Sequence, residues 1–446
     1  GSSRFAAGHR WGWFPSVSAG WVITNENWMK NTSSWLDFLK IRASWGQVGN
    51  NNIDAYLYTS TVVLDGVGVN FGQGKGTKYN TNGAVSDRIG NDKLKWETSE
   101  QTDLGFDARF IGSRLGLNFD YYYKKTKDWI VKSPVLATVG ADAPYINGGD
   151  VTNQGIELGL SWNDHIGKDF QYNIGANVSY NKNEVNNIPT EGGIIHGYAE
   201  GSTNANVMFN NQTEFYRCEA GHAMGYFWGY KTAGIFQNQK EIDDWVAAGN
   251  GILDGTQPGD LKIVDLHKDG VINDQDKTDL GNGIPKFNFG FNLGFSYKGF
   301  DFSTTWSGAA GFKVTNGGYR NWGNSLQSNY TKRFLGRWHG EGTSNTLPRL
   351  TNIDRNWTNF SELYLEDGDY LRIANITVGY DFAKLLKAKV LSQARLYFQV
   401  QNLYTFTKYS GMDPEVGFGQ HSWMSGIDTG SYPHARTILV GVNLKF

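Results

Sequence analysis

The last ten residues constrain this chain most. Ile438, Val440, Val442, Leu444 and Phe446 alternate with Thr437, Leu439, Gly441, Asn443 and Lys445. A period of two is the signature of a β-strand, whose successive side chains point to opposite faces. Here every residue of one row is apolar and the row ends on an aromatic side chain. A strand crossing a bilayer requires such a row, because alternate residues face lipid and lumen.

The same alternation recurs along the chain. Leu39, Ile41, Ala43 and Trp45 face away from Lys40, Arg42, Ser44 and Gly46. Thr102, Leu104, Phe106, Ala108 and Phe110 form the next row, followed by Leu115, Leu117, Phe119, Tyr121 and Tyr123. Ile156 to Trp162, Tyr172 to Tyr180 and Phe287 to Tyr297 repeat it. Looser strands are expected at Phe14 to Ile23, Phe300 to about Val314, Tyr370 to Phe382 and Leu396 to Gln401. In the Tyr370 strand, Leu371 and Ile373 share one parity while Ile376, Val378, Tyr380 and Phe382 share the other. One extra residue at Ala374 or Asn375 accounts for the slip, so a β-bulge is expected there.

These are eleven strands. The connections after odd strands are short, such as Ile111 to Arg114, Asp164 to Asp169 and Lys298-Gly299. Those after even strands are long, such as Thr126 to Gln154 and the segment 184–285. Antiparallel strands joined in this way put every long loop at one end, as in bacterial outer-membrane barrels. The expected fold is therefore all-β: an antiparallel transmembrane β-barrel with long extracellular loops, spanning residues 1–446. Single-chain bacterial barrels have even strand counts, so eleven strands are expected to be half of something larger.

Composition excludes several alternatives. Net charge is −2 with no block of Lys and Arg, which leaves no footprint for nucleic acid. No stretch approaches the roughly 18 apolar residues of a transmembrane helix, and mean hydropathy is −0.47. A β-barrel escapes that test, since half of each strand is polar. Residues 1–10 are polar and irregular, so no secretory leader is expected in them. The single cysteine, Cys218, allows no intramolecular disulfide and is expected to be a small buried side chain. There is no HExxH or GxSxG, and Gly72-Gln73-Gly74-Lys75-Gly76 lacks the P-loop spacing. No enzyme activity is expected. The competing assignment is a secreted, soluble β-rich protein that binds or degrades glycans.

One stretch has the pattern of a metal loop. In Asp265-Leu266-His267-Lys268-Asp269-Gly270-Val271-Ile272-Asn273-Asp274-Gln275-Asp276, Asp stands at loop positions 1 and 5 and Gly at 6. Val271 offers a carbonyl at 7, Asn273 stands at 9 and Asp276 at 12, the order of an EF-hand calcium loop. His267 at position 3 and Asp rather than Glu at 12 depart from that order. Ca2+ held by Asp265, Asp269, Val271, Asn273 and Asp276 is one expectation; an Asp-Gly turn closed by side-chain caps is the other. A short helix is expected at Glu241 to Ala248. Loop aromatics such as Tyr319, Trp322, Trp338, Trp357 and Trp423 suit either sugar stacking or loop packing.

Several motifs together resemble the SusC/RagA family of TonB-dependent outer-membrane transporters. They are Arg10-Trp11-Gly12-Trp13-Phe14-Pro15-Ser16-Val17-Ser18-Ala19-Gly20-Trp21, Leu39-Lys40-Ile41-Arg42-Ala43-Ser44-Trp45-Gly46-Gln47-Val48-Gly49-Asn50, and Lys95-Trp96-Glu97-Thr98 with Asp103-Leu104-Gly105. Asn147-Gly148-Gly149 with Asn153-Gln154-Gly155-Ile156-Glu157, Gly234-Ile235-Phe236-Gln237, Pro258-Gly259-Asp260-Leu261, Tyr370-Leu371-Arg372-Ile373 and Gln401-Asn402-Leu403 continue the series. The resemblance implies a 22-stranded barrel, of which these eleven strands would be the second half. It also implies a plug domain, a TonB-binding segment, and a SusD-like lipoprotein over the outer mouth. The expected cargo is an oligosaccharide or a peptide. The plug, the TonB-binding segment and the first strands are expected in an upstream half, through which TonB would act.

Overall fold

The computed structural model describes all residues except 65–67, 71–79, 83, 134–136, 198–213, 317–329, 352–354, 387–389, 417–424 and 429. Gly72 to Gly76, Tyr319, Trp322 and Trp423 lie outside the described residues.

One antiparallel sheet of eleven strands dominates. Its strands are β1 (Ser16–Val22), β2 (Leu36–Asn50), β3 (Glu97–Phe110), β4 (Leu115–Lys132), β5 (Tyr145–Ile166) and β6 (Phe170–Asn187). They continue with β7 (Phe287–Tyr297), β8 (Phe300–Ala310), β9 (Tyr370–Asp381), β10 (Gln393–Thr407) and β11 (Thr437–Lys445). Each pairs with the next in chain order, and β1 and β11 are the end strands. The connection after β4 (133–144) is no longer than that after β1 (23–35), so loop length does not alternate strictly, but sequential antiparallel pairing places the long loops after β2, β6, β8 and β10 at one end.

The two faces follow the parity of the sequence. Phe287, Phe291 and Tyr297 of β7 project from the apolar face, as do Ile174 and Val178 of β6 and Ile438, Val440, Val442 and Leu444 of β11. Rings continue across strands: Phe291 stacks on Trp306 at 5.0 Å, and Trp306 on Phe406 at 6.1 Å. A face this apolar and this exposed is a surface for lipid. The opposite face is polar and low. Asn292 lies over Gly175, where a Cβ would collide with its amide, and Tyr397 lies over Gly441 in the same way. Ion pairs cross the strands here, Arg42 with Asp107 and Asp120 at 2.9 Å each, and Arg395 with Asp301.

Turn chemistry fits the short connections. Lys298 (φ 48°) and Gly299 (φ 93°) close β7 onto β8 with two left-handed residues, the geometry that matches strand twist. Against β8 the register breaks between Ile373 and Asn375, so Ala374 is the extra residue of the expected bulge. Against β10 the break at the same place puts the extra residue on β10, where Asn402 and Leu403 stand opposite Ala374. Beside the bulge, the hydroxyl of Thr304, a residue 6% exposed, donates to the Asn375 carbonyl at 3.0 Å, so this polar side chain on the apolar row has a protein partner, which lipid could not supply.

Three boundaries differ from the sequence expectation. The connection placed at Thr126 to Gln154 is mostly strand, because β4 runs to Lys132 and β5 begins at Tyr145. Register breaks around Trp129, and Asp128 at φ 56°, disrupt the period there. The eighth strand leaves the barrel wall at Ala310. After Gly311 (φ 80°), Lys313–Asn316 pairs instead with Leu365–Asp367 and, in parallel, with Ile427–Asp428.

The third difference is the largest. Among the described residues, the long outer segments hold regular structure. Ile194–Gly197, Tyr216–Glu219, Tyr226–Tyr230 and Lys277–Asp279 form a four-stranded sheet. Its core joins Phe215, Tyr216, Phe227 and Leu280 to Phe334, Leu347, Trp357, Phe360 and Tyr364 of a second loop and Ile427 of a third. The long loops after β6, β8 and β10 thus fold as one outer subdomain. A helix, α1 (Gln239–Ala247), sits within it, and its first turn is capped by the Asn238 side chain accepting from Glu241 N at 2.9 Å.

Candidate functional site

The site with functional potential is the outer end: the polar inner wall, the rim above it and the subdomain over the rim. Two of the sequence motifs meet inside that subdomain. Phe236 N donates to Asp260 O at 3.0 Å, and Gly259 N returns a bond to Phe236 O at 2.7 Å. Asp260, 5% exposed, accepts Arg349 Nε at 2.7 Å and Asn356 Nδ2 at 3.1 Å. The buried carboxylate therefore has a cation and neutral donors, as burial demands. Trp338 rests against Gly259, and Trp357 is 1% exposed in the core. Trp357 packs the loops together and offers no ring face to a sugar. Cys218 is buried, and burial pushes its thiol up to about 12, so it is inert.

The calcium-like loop adopts a closed turn. Asp265, 2% exposed, accepts Gly251 N and Gly270 N on Oδ2 at 2.9 Å each, and Lys268 N on Oδ1 at 2.5 Å. Burial by itself would raise this carboxyl; the ring of N–H donors outweighs it and holds Asp265 below the usual carboxylate range. Asp276, fully buried, accepts His267 N at 3.1 Å and Asn273 N at 2.9 Å. Asp269 accepts Val271 N and Asn273 accepts Gln275 N. Val271 is exposed. Lys268 (φ 55°) and Gly270 (φ 81°) make the sharp turn. The five residues thus share one compact loop, with each side-chain group turned to backbone N–H. Among the described residues the oxygens of Asp265, Asp269 and Asp276 do not gather within 4.8 Å of one another, so the loop as it stands is a closed turn rather than a formed cation cage.

At the rim, the Arg372 of the Tyr370-Leu371-Arg372-Ile373 motif is 4% exposed on the inner row of β9. It bonds Asp413 Oδ1 at 2.7 Å, Thr405 Oγ1 at 3.0 Å and the Glu415 carboxylate. Asp413 and Glu415 lie in the loop 408–436, so one wall strand pins the last outer loop. His434 Nδ1 completes the group at 2.8 Å from Asp413 Oδ2. Asp413, Glu415 and His434 each bring a ligand-type atom within 4.8 Å of the others. Arg372 occupies both carboxylates, so we read the cluster as an ion-pair network. Arg349, Asn356, Asp413, Glu415 and His434 carry no local motif in the sequence; they find their partners only through the fold.

Comparisons with known proteins agree with this architecture. The family described as TonB dependent receptor-like, beta-barrel matches residues 1–403. TonB-dependent receptor P3 of Formosa agariphila is 32% identical over 100% of this chain and 43% of its own length. TonB-dependent receptor SusC of Bacteroides thetaiotaomicron is 30% identical over 100% of this chain and 41% of its own length. The chain thus spans less than half of the curated relatives it matches. The solved structure of the RagAB peptide transporter aligns with a TM-score of 0.77 at 24% identity, covering 100% of this chain and 44% of that one. A soluble secreted protein is excluded by the same matches and by the lipid-type face. The chain belongs to the TonB-dependent receptor-like β-barrel family, on its SusC/RagA side, and is part of an outer-membrane protein.

Proposed function

We propose that this chain forms the carboxy-terminal half of an importer that moves oligosaccharides or peptides across the outer membrane under TonB drive. The upstream half would supply the plug, the TonB-binding segment and the strands that pair with β1 and β11. A SusD-like lipoprotein would dock on the outer subdomain and close the mouth. The observation that carries this reading is the division of the chain. Eleven strands have a lipid-type outer row and a polar inner row, and their long loops fold into one structured cap at a single end. The name of the RagAB peptide transporter supports a peptide cargo, while the relatives named TonB-dependent receptors support TonB drive and name no cargo.

The test is depletion of a defined mixture of oligosaccharides and peptides from the medium by wild-type cells and by cells lacking this chain. One chemical class should persist when the chain is absent, and an uncoupler should have the same effect. Identical depletion by both strains would remove the importer reading.

The Asp265–Asp276 loop is proposed to bind Ca2+ as a stiffening ion within the subdomain, with no part in catalysis. Binding would use the remaining lone pairs of Asp265, Asp269 and Asp276 together with Asn273 and the Val271 carbonyl. Asp269→Ala should lower the calcium content of purified protein by about one ion per chain, the stoichiometry of a single loop. Elemental analysis giving equal calcium for variant and wild type would exclude the site.

A further inference from the structure

We propose that cargo crosses the barrel along the inner face of β5 to β8, and that it does so as an uncharged chain of hydrogen-bonding groups. This path rests on the import reading and adds to it where the cargo runs and what chemistry it carries.

The inner wall divides into two sectors. On β2 to β4 the inward positions carry Lys40, Arg42, Asp103, Asp107, Arg109 and Asp120. Several are tied to one another: Arg42 bridges Asp107 and Asp120, and Asn118 donates to Asp107 at 2.8 Å. From β5 to β10 the wall changes character. One row runs through Ser161, Gly175, Asn292, Thr305, Asn375 and Gln401 in successive registers. The next row toward the short turns runs from Asn163 to Gln399 and holds only amides, hydroxyls and Gly294. Neither row carries a charge. On β8 to β10 the bordering charges are paired, Arg395 with Asp301 and Arg372 with Asp413.

The amides of β6 and β7 are free. Asn173, Asn177 and Asn292 are exposed, and among the described residues their side chains bond to no protein group. Each lies over a glycine of the neighbouring strand. A Cβ added at Gly294, Gly290 or Gly175 would come within 2.5, 3.0 or 2.3 Å of the amide oxygen, so only glycine lets these side chains lie so low. The wall is therefore shallow here. It opens into a depression of about 600 Å³ where β5 to β8 approach their short turns, lined by Asn163, Asn173, Ser296 and Ser303.

Charge and hydrogen-bonding capacity select the occupant. A path must hold its passenger at many sites, each weakly enough to let go. Neutral hydrogen bonds exchange with water at small net cost. A free amide offers two donors and two acceptor lone pairs, which suits hydroxyl groups and peptide groups alike. The shared chemistry is that of an uncharged oligosaccharide or an uncharged stretch of peptide. The charged sector offers less, because its groups bond one another.

The experiment alters the track after folding. Asn177→Cys, Asn292→Cys and, on the charged sector, Ser44→Cys are made in cells that carry the whole transporter; Cys218 is buried and out of reach. Each variant is treated with a bulky uncharged maleimide, and labelling is read by mass. Uptake is followed for hexose oligosaccharides with and without sulfate groups, and for glycine-serine peptides with and without glutamate. Labelling at 177 or 292 should slow the accepted class by about tenfold or more, the effect of losing one well-made hydrogen bond, and labelling at 44 by less than about twofold. The sulfated or glutamate-bearing counterparts should enter about tenfold more slowly than the uncharged ones. Equal slowing at 44 and 292, or equal uptake of the charged counterparts, would overturn the path while leaving import intact. Failure of Asn177→Cys and Asn292→Cys to label during uptake would also overturn it, because the plug would then cover this face. A wild type that takes up none of the mixture would remove the import reading and this path with it.

Discussion

Arginine in place of Phe291 destabilises the barrel by about 2–4 kcal/mol, the cost of a cationic side chain on the lipid face near the bilayer midplane. Arginine at the adjacent Asn292 costs far less. Phe291 stands in the middle of β7, stacked on Trp306 at 5.0 Å within the apolar row. Asn292 is on the opposite face, lying over Gly175 in the polar wall. The two substitutions differ by one position and share everything except the face. Denaturant titration of the protein in lipid vesicles, followed by loss of heat-modifiable migration, measures both. Equal costs would mean that parity does not divide lipid from lumen.

Trp357→Ala is expected to destabilise the outer subdomain by about 3–5 kcal/mol, the range for removing a large aromatic from a packed core. Trp357 is 1% exposed and lies edge-on to Tyr364 at 5.3 Å, with Phe334 at 6.3 Å. The core it belongs to draws on three loops, so the loss should spread through all of them. Limited proteolysis should cut within 215–286 and 330–367 far faster in the variant, while the barrel strands remain protected. Unchanged cleavage would show that the loops are ordered by something other than this core.

The wall of the molecule was legible because a bilayer imposes one rule on every strand. Phe287 to Tyr297 keeps parity throughout, and its limits were read to the residue. Ala374 was legible for the same reason, since a slip in parity is itself a signal. Where parity fails twice in succession, around Asp128 and Trp129, the strand ends of β4 and β5 vanished into an apparent loop. The outer subdomain was invisible because its strands are three to five residues long, too short to show a period. Its core packs Phe215 on Phe360, and the Tyr216 hydroxyl donates to the Ser425 carbonyl, across long stretches of chain. The Asp265 loop was recognisable as a sharp turn, since Asp-Gly spacing is local chemistry. The Arg372–Asp413 pair was not, although Arg372 stands in a motif, because nothing near Asp413 announces its partner.

The central claim is that one row of each strand faces lipid and the other faces the lumen. Single cysteines placed in turn at positions 287 to 297, with buried Cys218 replaced by serine, and spin-labelled in the native outer membrane, test it most directly. Odd positions should be accessible to oxygen and shielded from a water-soluble nickel complex, and even positions the reverse, with a period of two along the strand. Accessibility to the aqueous reagent at every position, or a profile without that period, would contradict the account.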